Sequence, residues 1–211
     1  MRTFLAGAVA LFALAGCEFR SAAQERGPVV VVLETEKGRI EIEVDTVRAP
    51  NTARNFLKYV DAGLYDGGVF HRTVRPDTET RPDVPIQVIQ ARMNLDRRGE
   101  RLAAIPLERT NVTGITHVDG AVSMARTTAD TATHEFFICI GNQPLLDFGG
   151  KRNDDGQGFA AFGRVVVGMD VVKAIQAAPV ASLRPRGGAA APPSPSQTLL
   201  PPVRILKAFR K

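Results

Sequence analysis

Val69-Phe70-His71-Arg72-Thr73-Val74, set between Gly67-Gly68 and Pro76, is the stretch whose reading decides the fold. Its β-branched and aromatic residues read as a strand, and the Gly and Pro beside it read as punctuation. Further runs of the same kind follow at 86–91, 121–125, 136–140 and 159–167, separated by Gly, Pro, Asp and Asn. Short strands recurring in this way point to a sandwich or barrel. Upstream, 29–36 and 39–45 flank Lys37-Gly38, and the second run puts Ile40, Ile42 and Val44 on one face with charged residues between them, a hairpin with a polar outer side. Pro50 then opens an amphipathic helix: Ala53, Phe56, Leu57 and Val60 fall at i, i+3, i+4 and i+7, and Gly63 is placed for a left-handed cap. A second short helix is expected over 168–176, with Asp170 in its cap region and Val171, Val172 and Ile175 at helical spacing. The Pro-, Ala- and Ser-rich stretch 179–202 reads as an irregular excursion, after which Val203, Ile205, Leu206 and Ala208 form a last strand that closes the sheet.

A chain of 211 residues, 44% hydrophobic and 23% charged, can bury one sizeable core. The expected division is a signal over 1–16, a tether over 17–27 and one domain over 28–211. The net charge of +5 is scattered, and the short clusters Arg97-Arg98 and 184–186 fall in expected loops, so no nucleic-acid partner is expected. Arg2 precedes an apolar run, 4–14, too short to cross a bilayer comfortably, which reads as an export signal. Its end, Leu14-Ala15-Gly16-Cys17, resembles a bacterial lipobox, with lipid attached to Cys17; the alternative is ordinary cleavage after Ser21-Ala22-Ala23, with Glu18 and Arg20 just upstream. The expected location is the periplasm or cell envelope, with membrane contact only through that lipid, which needs more than one acyl chain for a stable hold. Besides Cys17, only Cys139 is present, inside an apolar run where it reads as a small core residue, so no disulfide framework is implied.

Five fragments in order carry a more specific signal: Phe70-His71-Arg72, Gln90, Ser123-Met124-Ala125-Arg126, Phe136-Phe137-Ile138 and Phe162-Gly163-Arg164-Val165. With Pro50-Asn51-Thr52-Ala53, Asn55-Phe56 and Gly168-Met169-Asp170-Val171-Val172, they resemble the cyclophilins from about Val29 to the last strand. The resemblance implies an all-β fold, a closed eight-stranded antiparallel barrel capped by two helices. It also implies peptidyl-prolyl cis/trans isomerase activity on unfolded or flexible proteins, in a monomer without cofactor or metal. Arg72 is then the catalytic guanidinium and Gln90 its orienting partner, with His71 beside them. The proline pocket falls to Val88, Phe137, Leu145, Leu146 and Phe159, and the peptide groove to Ala125 and Arg126.

Departures from the family pattern bear on that site. A long polar segment, 75–85, replaces a short turn; Gln87 stands for an aromatic and Ala91-Arg92 for Gly-Gly. Leu145 and Phe159 also replace the usual types, and Glu135 replaces a glutamine, making an acceptor-only carboxylate that is expected to lock Arg72. These changes keep open an alternative, a catalytically weak module that binds proline segments or acts as a chaperone. Other chemistries find less support. His71, His117 and His134 lack metal-site spacing, and counting back from Gly156 puts Lys151 where a calcium loop requires a carboxylate. Gly149-Gly150-Lys151 lacks the P-loop spacing, and Ser123 lacks the context of a nucleophile elbow.

Overall fold

The computed structural model describes residues 29–183 and 194–211. The expected signal, the tether, Cys17 and the middle of the Pro-rich stretch lie outside the described residues. Nine strands are described: β1 (Val29–Thr35), β2 (Gly38–Val44), β3 (Val69–Val74), β4 (Val88–Arg92), β5 (Ala121–Met124), β6 (Phe136–Cys139), β7 (Ala160–Val167), β8 (Val180–Leu183) and β9 (Ser194–Arg210). All pairings are antiparallel. The order β1-β2-β7-β5-β6-β4-β3-β9 returns to β1 through a further β1–β9 pairing, so eight strands close a barrel, and β8 is added on β9.

Two helices contribute side chains to the interior core. In α1 (Pro50–Asp61) proline occupies the first turn, where its missing N–H costs nothing. The free N–H groups of Asn51 and Thr52 donate to the Glu108 carboxylate at 3.1 and 2.8 Å. At the other end Gly63 takes φ +61°, its N–H donates to Val60 O and that of Leu64 to Tyr59 O, both at 2.9 Å, a Schellman closure. The buried face of α1 brings Phe56 against Tyr65, Phe136 and Phe162, with ring centroids 5.0 to 5.5 Å apart. The one-turn α2 (Thr110–Thr113) was not foreseen, nor were the 3-10 turns Leu95–Glu100 and Pro144–Leu146. The third helix, α3 (Met169–Gln176), buries Val172 and Ile175, but its cap is Gly168 at φ 92° with no side-chain bond; Asp170 lies inside the first turn.

Strand alternation sorts the apolar residues into two cores. Ile89 and Ala91 of β4, Phe136 and Ile138 of β6, and Val122 and Met124 of β5 point into the barrel with α1 and α3. Their neighbours Val88, Phe137, Cys139 and Ala121 point outward, where Val74, Ile86 and Leu146 join them in a smaller cluster. The candidate site opens on that outer cluster, which lines it with Ile86, Val88, Phe137 and Leu146.

The 179–202 stretch departs from expectation at both ends. Val180 pairs with Leu199, and Thr198 pairs with Arg72, so its flanks form a hairpin that joins the barrel.

Candidate active site

Arg72 owes its direction to a bulge. Phe70 faces the interior core and Val74 the outer cluster, although strict alternation would place residues four apart on the same face. The register shifts between Phe70 and Arg72 against β4 and β9 alike, and the extra residue, His71, turns Arg72 outward. The half-buried guanidinium donates from Nη1 to Gln90 Oε1 at 2.7 Å, and from Nε and Nη2 to Gln197 Oε1 at 2.9 and 2.6 Å. Burial, and then the nearby Arg152, draw its pKa below the ordinary value, against the pull of Glu79 and Glu135. A guanidinium so perturbed keeps its charge.

Beside it opens a cavity of about 280 Å³. Val88, Phe137, Leu146 and Phe159 line it, as do Gln90, Ala125 and Arg126. Phe137 and Phe159 meet edge to face, with centroids 5.5 Å apart. The Arg126 guanidinium lies 5.1 Å from the Phe159 ring and is tied to Asp155 at 2.7 and 2.9 Å and to Gly158 O. That pairing holds the Asp155 carboxyl down at about 2. Below Phe137, His117 stacks on its ring at 15° and hydrogen-bonds Asp147 at 2.7 Å and Ser123 at 2.9 Å. The Ser, His and Asp form a connected set, but Ser123 has no exposed surface, so the set braces the pocket floor.

Three expected residues lie elsewhere. Leu145 is half-buried and does not line the cavity, because it belongs to the 3-10 turn Pro144–Leu146, where successive side chains point roughly 120° apart. Leu146 takes the inward direction. Glu135 does not touch Arg72; it accepts from Gln90 Nε2 at 2.6 Å, so any hold on the guanidinium passes through the amide. His71 is not a wall residue: its Nε2 stands 3.9 Å from Glu135, and burial pushes its pKa down to about 4 despite that carboxylate.

Other residues escaped the sequence reading. Ile86, Arg152 and Asn153 complete the cavity wall. The polar Gln87 turns away, donating from its N–H to Gln143 and accepting from Gln176, and Ile86 supplies apolar surface instead. The 75–85 segment is docked: half-buried Glu79 accepts from the N–H groups of Ile86 and Arg81 and pairs with half-buried Arg152 at 3.0 Å. No local pattern marks Gln197, which stands 125 positions from Arg72.

A closed antiparallel barrel holding a braced guanidinium at the rim of a cavity with one apolar wall can seat an apolar side chain of a peptide and donate hydrogen bonds to its backbone. Comparison with known proteins agrees. Residues 30–208 match the family described as cyclophilin type peptidyl-prolyl cis-trans isomerase/CLD. A peptidyl-prolyl cis-trans isomerase of Acinetobacter baylyi is 34% identical over 154 residues, which cover 72% of this chain and 74% of the relative. Peptidyl-prolyl cis-trans isomerase B of Escherichia coli is 31% identical over 70% of this chain and 84% of its own. The fold is also that of a cyclophilin type isomerase from Cryptosporidium parvum, whose crystal structure superposes with a TM-score of 0.64 at 16% identity, covering 87% of this chain and 98% of the other. The chain belongs to the cyclophilin-type peptidyl-prolyl cis-trans isomerases.

Proposed function

We propose that Arg72 turns the X-Pro bond of flexible protein segments whose proline ring seats against Phe137, Leu146, Val88 and Phe159. The imide barrier is about 18–20 kcal/mol, because resonance holds the bond planar. Twisting the bond localises the nitrogen lone pair, which can then accept a hydrogen bond, and a guanidinium with fixed N–H groups stabilises that state over either planar form. Burying the pyrrolidine supplies binding at roughly 25 cal/mol per Å². The observation that carries this reading is the guanidinium held by Gln90 at the edge of a cavity of about 280 Å³, one wall of which is the apolar set Val88, Phe137, Leu146 and Phe159.

The substrates we assign are proline-containing chains in the cell envelope, reached by a protein exported on its apolar leader and tethered by lipid at Cys17. What supports this is the leader sequence and the Leu14-Ala15-Gly16-Cys17 motif.

A protease-coupled assay on a short X-Pro peptide tests the site. Arg72→Ala is expected to lower kcat/KM by about 100-fold or more. Retention of most activity would remove Arg72 from the mechanism. Peptide binding without turnover in the unsubstituted protein would favour the weak binding module.

A further inference from the structure

We propose that Gln197, carried on the β8–β9 hairpin, is a positioning residue that braces the reactive guanidinium from the side opposite Gln90. The proposal rests on Arg72 being the group that acts on the imide. An arginine has five N–H donors; here three are engaged, one by Gln90 and two by the single oxygen Gln197 Oε1. One donor on each Nη is then left for a peptide.

Each brace is itself anchored. Gln90 Nε2 donates to Glu135 at 2.6 Å, and Gln197 Nε2 donates to Thr78 O at 3.0 Å. This fixes the sense of both amides: turning either one over would set an NH2 against the guanidinium and a carbonyl against an acceptor. Gln197 therefore links the Pro-rich stretch to the polar segment that replaces a short turn of the family pattern. It comes from the 179–202 stretch, its anchor belongs to the docked 75–85 segment, and they meet at Arg72.

The placement is also over-determined by the backbone. Thr198 pairs with Arg72, Leu199 pairs with Val180 across the hairpin, and the Thr198 N–H donates to the buried Ser196 hydroxyl. A spacer of 179–202 would leave Arg72 untouched; this hairpin holds two of its donors. Because no proton is transferred in imide rotation, catalysis depends on the guanidinium's pose, and restraining both sides keeps it in one orientation as the bond turns.

The test compares Gln197→Ala, Gln197→Met and Gln197→Glu in the full chain, with Arg72→Ala as the inactive reference. Gln197→Ala and Gln197→Met are expected to lower kcat by about 10-fold with little change in KM, since the apolar wall of the pocket is left intact to bind proline. Gln197→Glu keeps an acceptor facing Nε and Nη2, now a charge-assisted one, but loses the Nε2 anchor and sets an oxygen against Thr78 O, so it is expected to recover part of the loss. The Arg72 Nε–H resonance, assigned by its disappearance in Arg72→Lys, should exchange with water markedly faster in Gln197→Ala than in the unsubstituted protein. Should Gln197→Ala lower the melting temperature, the length-matched Gln197→Met and the exchange measurement decide.

Activity of Gln197→Ala within twofold of the unsubstituted protein, or above it, would overturn the proposal; a gain would mean that the amide competes with substrate. Equal losses in all three variants, or unchanged Nε–H exchange, would overturn it as well. If the unsubstituted protein is no more active than Arg72→Ala, the isomerase reading of the site falls first and this role falls with it.

Discussion

His71 is kept neutral by its surroundings. With 19% of its side chain exposed and no partner for Nδ1, it pays for burial with a pKa lowered from 6.5 to about 4, against the pull of Glu135. The unfolded chain takes up this proton below about pH 6.5, whereas the folded chain refuses it until about pH 4. Stability is therefore whole above the unfolded pKa and is lost as pH falls toward the folded one, by about 2 kcal/mol between pH 7 and pH 5. Urea midpoints at those two pH values should show a loss smaller by about that amount in His71→Gln; equal losses would show that burial does not govern this imidazole. The same neighbourhood shows what a sequence discloses about single residues. Arg72 was legible because Phe70-His71-Arg72 is a local string. Glu135 was placed in the right neighbourhood but on the wrong partner, since the choice between Arg72 and Gln90 is a matter of ångströms across strands. Gln197 was invisible because its contact is made 125 positions away.

Elements were legible where periodicity was strong. Alternation in β4 and β6 and the helical spacing of α1 lie in the side chains themselves, and Gly63 was readable as a cap because φ +61° suits glycine. Space is available there, as an added Cβ would meet nothing closer than a side-chain oxygen at 3.6 Å, so only backbone strain opposes substitution. Gly63→Ala should therefore cost about 1 kcal/mol, read as a lower thermal midpoint with unchanged isomerase activity. A cost near zero would mean that the Schellman closure is not needed. The hairpin β8–β9 was missed because its prolines argue against a strand. Their positions resolve the conflict: Phe70 pairs with Val203 and Arg72 with Thr198, so residues 199–202 lie opposite His71 alone. Pro201 and Pro202 thus sit in an irregularity where that edge asks for no ladder N–H. The bulge that turns Arg72 outward and the prolines that hid β9 are two sides of one feature.

For the whole molecule, β9 is the element on which the ring depends, because it is the partner of both β1 and β3. Its alternate residues Val203 and Ile205 enter the interior core, and at its end the Lys211 N–H donates to Val30 O at 2.8 Å while Nζ reaches Glu41 at 3.0 Å. Without this closure, β1 and β3 would each present an open row of N–H and C=O groups, and unpaired strand edges invite pairing with other chains. The site would suffer in the same event, since β3 carries Arg72 and would be held from one side only. The damage should scale with how much of β9 is removed. Ile205→Ala, at a position with no exposed surface, is expected to cost about 3 kcal/mol and leave a folded, active protein. Ending the chain at Pro202 is expected to abolish cooperative unfolding and yield oligomers by size-exclusion chromatography. A truncated chain that stayed monomeric, melted in one transition and still turned over an X-Pro peptide would show that the other strands hold the barrel and Arg72 by themselves.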